Sequence, residues 1–515
     1  MSGHPVSSSA GDVMHSGPDL GPALGRAREA QAKWVSVPLR GRLRKVAAWR
    51  GLLVESAGEI AARAADPAHS KTEVMVSELL PLVEAFRFLE KKAGRILAPR
   101  SAGPWTGPLW MGRVSSRVLR DPLGVVGVIS PSNYPLYLGG VQVVQAVVAG
   151  NAVLWKPAPG FGRVAADLVA HMEAAGFPEN LVQVLGDGEE WGRALSTASL
   201  DKLVFTGSRG TGIQVLHALA DRAVPSVMEL SGCDAVFVRA DADLDRVVQS
   251  LRFGLFFNRS RTCIAPRRVY VHRSLESQLT ASLALAFEQY DSHFVPQQDA
   301  PLLRSLFETA VRSGARFISG GLFPDGQRVL LPAVLVAEPA VAAQFHRDLF
   351  HPVLTMVLVS DDEEAVRLDA ECPYALGASI FSRDEKSATA LAVRLRAGSI
   401  VINDLIAPTA DPRVPFGGGG ASGFGTTRGP EGLLEMTRPK VLQVRRDTSP
   451  VHLSEQLPPV ELMLALTRVL HGTRWSHRLH ALGGLIKILL KKTFRNATPD
   501  RAGRSGALFI DAQPM

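Results

Sequence analysis

Three side chains in this sequence have the right types to act together on a carbonyl group. Cys263 lies in FNRSRTCIAPRRVYV, a polar, turn-like stretch that runs straight into a strand. A thiol in such a place is either an inert buried group or a nucleophile, and a nucleophile needs a thiolate and a nearby base. Arg259 and Arg261 are cations close in sequence, of the kind that lower a thiol pKa. Glu229, in SVMELSGCD, ends a strand-like run. Its plain reading is a solvated loop carboxylate, whereas partial burial would raise its pKa toward neutrality and suit it to activate water. Asn133, in GVVGVISPSNYPLY, follows the C-terminal end of a strand, where ligands gather in open α/β sheets. It is either a turn residue or an amide donor to an oxyanion.

Two glycine-rich segments add to this set. FTGSRGTG at 205–212 stands between a strand and a helical stretch, so small residues and a helix N-terminus offer backbone N–H groups to a phosphate. PFGGGGASGFG at 415–425 lacks the Lys-Ser/Thr of a P-loop and reads as a flexible loop. Cys233, Cys263 and Cys372 are the only cysteines, too few for a disulfide framework or a four-cysteine zinc site, so no metal is expected.

The elements that must position these residues follow from periodicity. Residues 20–97 place apolar side chains three and four apart, a helical pattern. From Pro122 onward the short aliphatic runs VVGVIS, AVLW, LVQVL and KLVFTGS alternate with helical stretches, and the alternation resumes after Gly232 with DAVFV, RRVYV, PVLTMVLV, GASIFS and SIVIND. Such alternation implies βαβ units and parallel sheets, here two α/β domains in tandem joined near Glu229–Gly232. KVLQVRR at 440–446 is one more strand, expected to pair with the segment at 113–119.

The order and spacing of the motifs resemble the aldehyde dehydrogenase superfamily over roughly residues 20–445. PSNYP (131–135), GNAVLWKP (150–157), FTGS (205–208), ELSG (229–232), FNRSRTC (257–263) and DLFHP (348–352) occur in the family's order, with Cys263 34 residues after Glu229. The resemblance implies Cys263 as nucleophile, Glu229 as base and Asn133 as oxyanion donor. It also implies a binding site for NAD or NADP at Ser130, Lys156, Pro159, Thr206, Gly207, Ser208, Asp348 and Phe350. An α/β fold is implied, with a Rossmann-like cofactor domain (19–99 and 122–231) and a catalytic domain (232–427). A small β element (100–121 and 428–450) would join copies into a homodimer or homotetramer. Tyr137, Leu255, Phe256, Ile406 and Phe416 are candidates for the walls of the aldehyde funnel.

Four departures from the family pattern stand out. Ser260-Arg261 replaces Gly-Gln before the cysteine, Asp348 replaces a glutamate, and His351 replaces a glycine. Pro159 occupies a position where a carboxylate commonly disfavours the 2′-phosphate of NADP. The reaction expected is oxidation of an aldehyde to a carboxylic acid through a thioester. A CoA-acylating dehydrogenase and a catalytically weakened scaffold protein are the alternatives.

Composition bounds the remaining possibilities. The chain has 515 residues, 46% of them hydrophobic and 21% charged, enough for a sizeable core and unlike a disordered protein. Of its +8 net charge, nine Lys or Arg against four Asp or Glu fall in residues 450–515, leaving +3 for the rest. Such confinement argues against a nucleic-acid partner. Residues 1–18 read as a disordered arm with no apolar h-region, and no apolar run reaches the length of a transmembrane helix, so a cytoplasmic home is expected. In the tail, Trp475, Leu479, Leu482, Ile486 and Leu489 recur at helical spacing with Arg478, Lys487, Lys491, Lys492 and Arg495 around them. A basic amphipathic helix of this kind lies on a bilayer surface or packs on protein, and residues 460–495 are the candidate peripheral membrane contact.

Overall fold

The computed structural model describes residues 17–65, 69–102, 114–288, 290–321, 328–446, 453 and 458–496, with the backbone alone for 491–496. The expected arm at 1–18 lies outside the described residues except for its last two positions.

The aliphatic runs form the strands their composition predicts. Val125–Ile129 (β1), Ala152–Lys156 (β2), Val182–Val184 (β3), Lys202–Thr206 (β4) and Ser226–Glu229 (β5) pair in parallel, in the order β5-β4-β1-β2-β3. Strands β1 and β2 are buried at every residue, as happens when helices cover both faces of a parallel sheet.

A second sheet begins at Asp234–Val238 (β6), five residues beyond the end of β5. It continues with Pro266–His272 (β7), His293–Phe294 (β8), Arg316–Gly321 (β9), Val329–Ala337 (β10), Val353–Val359 (β11), Gly377–Phe381 (β12) and Ser399–Ile402 (β13). Its order is β8-β10-β11-β7-β6-β12-β13, with β9 antiparallel on β10. Gly423–Phe424 (β14) then returns to the first sheet, antiparallel to β5, with Gly423 opposite Glu229. The glycine-rich segment read as a flexible loop is therefore a connector held by main-chain pairing beside Glu229. Gly423 takes φ +99°, and a Cβ there would stand 1.9 Å from the Met228 carbonyl, so only glycine fits.

The helices used below are Gly21–Val35 (α1), Leu39–Glu55 (α2), Leu80–Ile96 (α3), Tyr137–Ala149 (α4), Gly162–Ala174 (α5), Arg209–Ala220 (α6), Leu244–Phe256 (α7), Val460–His471 (α8) and Trp475–Asn496 (α9). The N-terminal helices are pinned by two buried indoles. Trp34 donates to the Val147 carbonyl at 2.8 Å and Trp49 to that of Leu168 at 3.0 Å. Glu78, fully buried in a π-helical turn (Met75–Leu79), accepts from the Leu136 and Tyr137 N–H groups at the start of α4. A carboxylate there satisfies orphan donors and meets the positive end of the helix dipole. Burial still raises its pKa to about 7.

The described residues form two compact units, one of residues up to 100 with 118–441 and one of 101–117 with 442 onward. Val114–Pro122 and Thr437–Arg445 belong, with Arg100–Ser101, to a three-stranded sheet, as the expected pairing of 113–119 with 440–446 requires. In the second unit α8 and α9 form a helical hairpin, with Arg478 Nε donating to the Val469 carbonyl at 2.8 Å. Ala481 is buried in it, while Trp475 is 75%, Leu479 58%, Leu482 40% and Ile486 49% exposed. Among the described residues no helix is long and apolar enough to cross a membrane.

Candidate active site

The C-terminal ends of β4 and β5, the loop after β1 and the loop before β7 open onto one cavity of about 590 Å³. Asn133, Thr206, Gly207, Ser208, Glu229, Cys263, Asp348 and Phe350 all line it. Residues far apart in sequence thus meet where β-strand ends and helix N-termini converge, the expected place for a ligand in an open α/β sheet.

Cys263 follows a tight turn in which Asn258, Arg259 and Ser260 take φ of 50°, 51° and 64°. Three consecutive non-glycine residues in the left-handed region persist only where neighbours over-determine them. Here Asn258 Nδ2 donates to the Asn133 carbonyl at 2.8 Å, and Asn133 Nδ2 donates to the Arg261 carbonyl at 2.9 Å. Buried Arg267 donates to Ser260 Oγ (2.8 Å), to the Ser260 carbonyl (2.6 Å) and to the His351 carbonyl (2.7 Å). The Ser260-for-glycine departure is thereby accommodated, because its hydroxyl has a buried partner. Gly232 keeps the floor clear, since a Cβ there would meet the Cys263 carbonyl at 2.3 Å.

Burial pushes the Cys263 thiol up to about 12, with the Asp234 and Glu229 carboxylates adding to the rise. Neither Arg259 nor Arg261, the cations expected to depress it, is the arginine that acts on it most. Arg428 is the cation that pulls the thiol down, whereas Arg259 is exposed and acts on Glu73 and His293, and Arg261 acts on Glu78 and His293. Neighbours in sequence leave a reversed turn in different directions, so proximity along the chain was a poor guide. Cys233 and Cys372 are buried outside the cavity lining and influence each other's ionisation.

Glu229 is buried, and burial raises its pKa to about 7, against the opposing pull of Arg428 and of a hydrogen bond from Thr427 Oγ1 at 3.3 Å. A carboxylate poised near neutrality beside a thiol is suited to taking a proton from water.

At the other end of the cavity, Ser208 caps α6 by accepting from the Thr211 N–H at 3.3 Å. Lys156 ends β2, buried and outside the cavity lining, its pKa lowered by burial and raised in part by Asp187, Glu189 and Glu190. Ser130 is buried and accepts from Trp155 Nε1 at 2.6 Å, and Pro159 is exposed; neither lines the cavity. Asp348 is raised by burial, against the opposing pulls of Ser231 and Arg267, and His351 is bonded to Asp299 at 3.1 Å. A capped helix N-terminus, small residues and a buried lysine are the kinds of group that suit a dinucleotide's phosphates and ribose hydroxyls.

A profile of the aldehyde dehydrogenase family matches residues 14–442. The chain belongs to that family. A 4,4'-diapolycopene aldehyde oxidase of Methylomonas sp is 32% identical over 430 residues, covering 81% of this chain and 80% of its own. A putative succinate-semialdehyde dehydrogenase [NADP(+)] 2 of Mycobacterium ulcerans is 29% identical, covering 83% and 85%. The crystal structure of the NADP-dependent glyceraldehyde-3-phosphate dehydrogenase of Bacillus halodurans, complexed with NADP, aligns with a TM-score of 0.74 and 30% identity over 82% of this chain and 90% of that one. A Mycobacterium tuberculosis aldehyde dehydrogenase complexed with NAD+ shares the fold, with a TM-score of 0.73 over 81% of this chain and 88% of that one, at 24% identity.

The walls of this dehydrogenase's cavity differ in part from the expected set. Tyr137, Ile406 and Phe416 line it. Leu255 is instead fully buried in the core of the second sheet, and Phe256 stacks on Tyr290 at 3.4 Å. Helix α7 turns Phe253 toward the cavity instead, and Phe257, four residues on and 4.8 Å away, joins it there. A helical face is set by a 100° step per residue, so an error of one or two positions points to the wrong wall. Sequence reasoning also missed Thr427 and Arg428, which line the cavity beside Glu229. The signal available was a charged residue next to a glycine after a glycine-rich run, the mark of a left-handed turn; Arg428 and Gly429 both take φ 61°.

Proposed function

We propose that this aldehyde dehydrogenase oxidises an apolar aldehyde to its carboxylic acid through a thioester on Cys263, with NAD or NADP as acceptor. The meeting of Cys263, Glu229 and Asn133 in one cavity supports this reading above all. The Cys263 thiolate adds to the aldehyde carbon, and the carbonyl oxygen becomes an oxyanion. Asn133 Nδ2 has a second N–H beyond the one given to Arg261, and it and the Cys263 N–H are the donors for that oxygen. The nicotinamide supplies an acceptor for the hydride that leaves the former aldehyde carbon. Thr206, Gly207, Ser208, Lys156, Asp348 and Phe350 hold that dinucleotide. Glu229 then takes a proton from water, the water oxygen adds to the thioester carbon, and the C–S bond breaks with its electron pair returning to sulfur. A buried base of this kind favours water over CoA, since thiolysis does not require it.

Exposed apolar residues on the cavity lining support the choice of substrate. Val76, Phe253, Leu302 and Phe350 are all exposed at its rim. Across straight-chain aldehydes, kcat/KM is expected to rise roughly fourfold per added methylene that enters the cavity. Reduced nicotinamide formed without CoA, with that rise, supports the reading. Dependence on CoA, a flat series, or silence with every aldehyde overturns it.

We propose further that the α8–α9 hairpin rests on an anionic lipid surface. Residues 460–496 hold seven Lys or Arg and one Asp or Glu, and the apolar row from Trp475 to Ile486 faces outward. Apolar side chains enter the acyl boundary while the cations meet headgroups. Flotation of the full-length protein with anionic vesicles at low salt tests this; failure to float makes the hairpin a packing surface. The exposed Val441, Leu442 and Val444 on the strand at Thr437–Arg445 support self-association through the small sheet, which sedimentation of the wild type against Val441→Asp tests.

A further inference from the structure

Arg428 is a buried cation that the chemistry above leaves without a task. It is 5% exposed and lines the cavity that holds Cys263 and Glu229. Its position is built by the chain rather than left to a flexible arm. Phe416 and Thr427 exchange both main-chain hydrogen bonds at 2.8 Å, and the next residue turns into the left-handed region. The guanidinium then sits over the Phe416 ring at 4.2 Å, and Nη1 donates to the Thr409 carbonyl (2.6 Å) and to Tyr137 Oη (3.1 Å). Both of those acceptors are neutral.

No carboxylate among the described residues lies within ion-pair distance of Arg428, and its Nε is buried without a hydrogen-bond partner. Desolvating a cation without pairing it is costly, and so is a non-glycine left-handed backbone. A fold that keeps both at one residue, inside a reaction cavity, has placed a fixed positive charge there. Thr427, one residue earlier, donates to Glu229 at 3.3 Å, so the same turn that orients the carboxylate also carries the charge.

We propose that Arg428 is a positioning residue whose unpaired charge keeps Glu229 available as a carboxylate and stabilises the sulfur anion of Cys263, without bonding to either. Because no direct ion pair forms, Glu229 retains its lone pairs for the proton it must accept. The groups facing the two reacting side chains are consistent with this. Glu229 feels Arg428 as its opposing charge. Cys263 has Asp234, Glu229 and Asp348 as carboxyl groups whose ionisation disfavours the thiolate, and Arg428 as the cation that favours it. Burial already pushes these carboxyl groups toward their neutral forms, and Arg428 is the cation that bears on both Glu229 and Cys263.

The inference rests on Glu229 acting as the base, and the test separates the two. Thioester hydrolysis is followed against pH in the full-length wild type, Arg428→Met, Arg428→Lys and Glu229→Gln, alongside the rate at which iodoacetamide alkylates Cys263. Dinucleotide binding by each variant reports that it is folded. Removing the charge is expected to move the acid limb of hydrolysis upward by about one pH unit and to slow alkylation about tenfold. Arg428→Lys, which keeps the charge, restores most of both; Arg428→Gln serves in place of Met if that variant does not fold. A limb that disappears in Glu229→Gln yet stays in place in Arg428→Met overturns the role of Arg428 alone. A limb that survives in Glu229→Gln overturns the base assignment and this inference with it. An unshifted limb with activity lost only for aldehydes bearing a distal carboxylate would make Arg428 a substrate-binding residue instead.

Discussion

The Cys263 cavity and the α8–α9 hairpin are built from the same kinds of residue, aromatic and aliphatic side chains beside arginines, and use them in opposite ways. In the cavity Phe416 and Arg428 are both buried, and the cation is held over the ring by neutral partners. In the hairpin Trp475 is exposed, and Arg478 lies over its ring at 5.9 Å with the apolar row open beside it. Withdrawal from water gives a charge long reach in the first case. In the second, solvent and salt screen each charge, and the apolar row is left for another surface to cover.

The largest contrast should come from the nucleophile. Cys263→Ala is expected to lower turnover by roughly 10⁴-fold or more while dinucleotide binding stays nearly intact, since in the proposed mechanism the sulfur alone forms the covalent intermediate. Calorimetric titration with NAD and NADP beside the activity assay checks this. No substitution in the hairpin should lower turnover on a short, soluble aldehyde, and one that did would break the comparison.

Glu229→Gln is expected to slow thioester hydrolysis by roughly 10²–10⁴-fold and to spare acylation, giving a burst of reduced nicotinamide on rapid mixing. The same substitution changes how stability depends on pH. The carboxyl is raised by burial to about 7 in the folded chain, so the fold binds a proton that the unfolded chain has released. That contribution is full below the ordinary carboxylate range and is lost as pH rises through about 7. Denaturation midpoints across that window should fall with pH in the wild type more steeply than in Glu229→Gln.

Stability sharpens the comparison at intermediate size. Phe416→Ala is expected to cost about 3–5 kcal/mol by opening a cavity and uncovering Arg428. Leu479→Asp should change stability by no more than about 0.5 kcal/mol while abolishing vesicle flotation, because its side chain is already in water. Equal losses for the two variants would mean that the hairpin row is packed on protein.

The smallest effect concerns cofactor choice. Pro159 leaves no carboxylate at its own position, but Asp187 accepts from the Gly160 N–H at 2.8 Å and so places one beside it. Asp187→Asn is expected to raise kcat/KM for NADP relative to NAD by a few fold, and Pro159→Glu to lower it. An unchanged ratio in both would put the selectivity elsewhere on the ribose.

The sequence by itself determined which segments are strands and which are helices, because aliphatic runs and apolar periodicity are local properties that burial later satisfies. It also singled out three residues that the fold brings to one cavity. Cys263, Glu229 and Asn133 were legible since their motifs are short, ordered and tied to strand ends. The amphipathic stripe of α9 was legible for the same reason, periodicity alone.

Tertiary structure decided whatever depends on where a side chain points across long separations. It set the partners of Ser130 and Arg267, turned Phe253 rather than Leu255 toward the cavity, and brought the glycine-rich segment back beside Glu229. Above all it decided which arginine bears most on the Cys263 sulfur. Arg259 and Arg261 are close in sequence, yet Arg428, 165 residues further along, is the cation that pulls most on it. Electrostatic influence falls with distance in space and with solvent screening, and neither quantity is written in the order of residues along a chain.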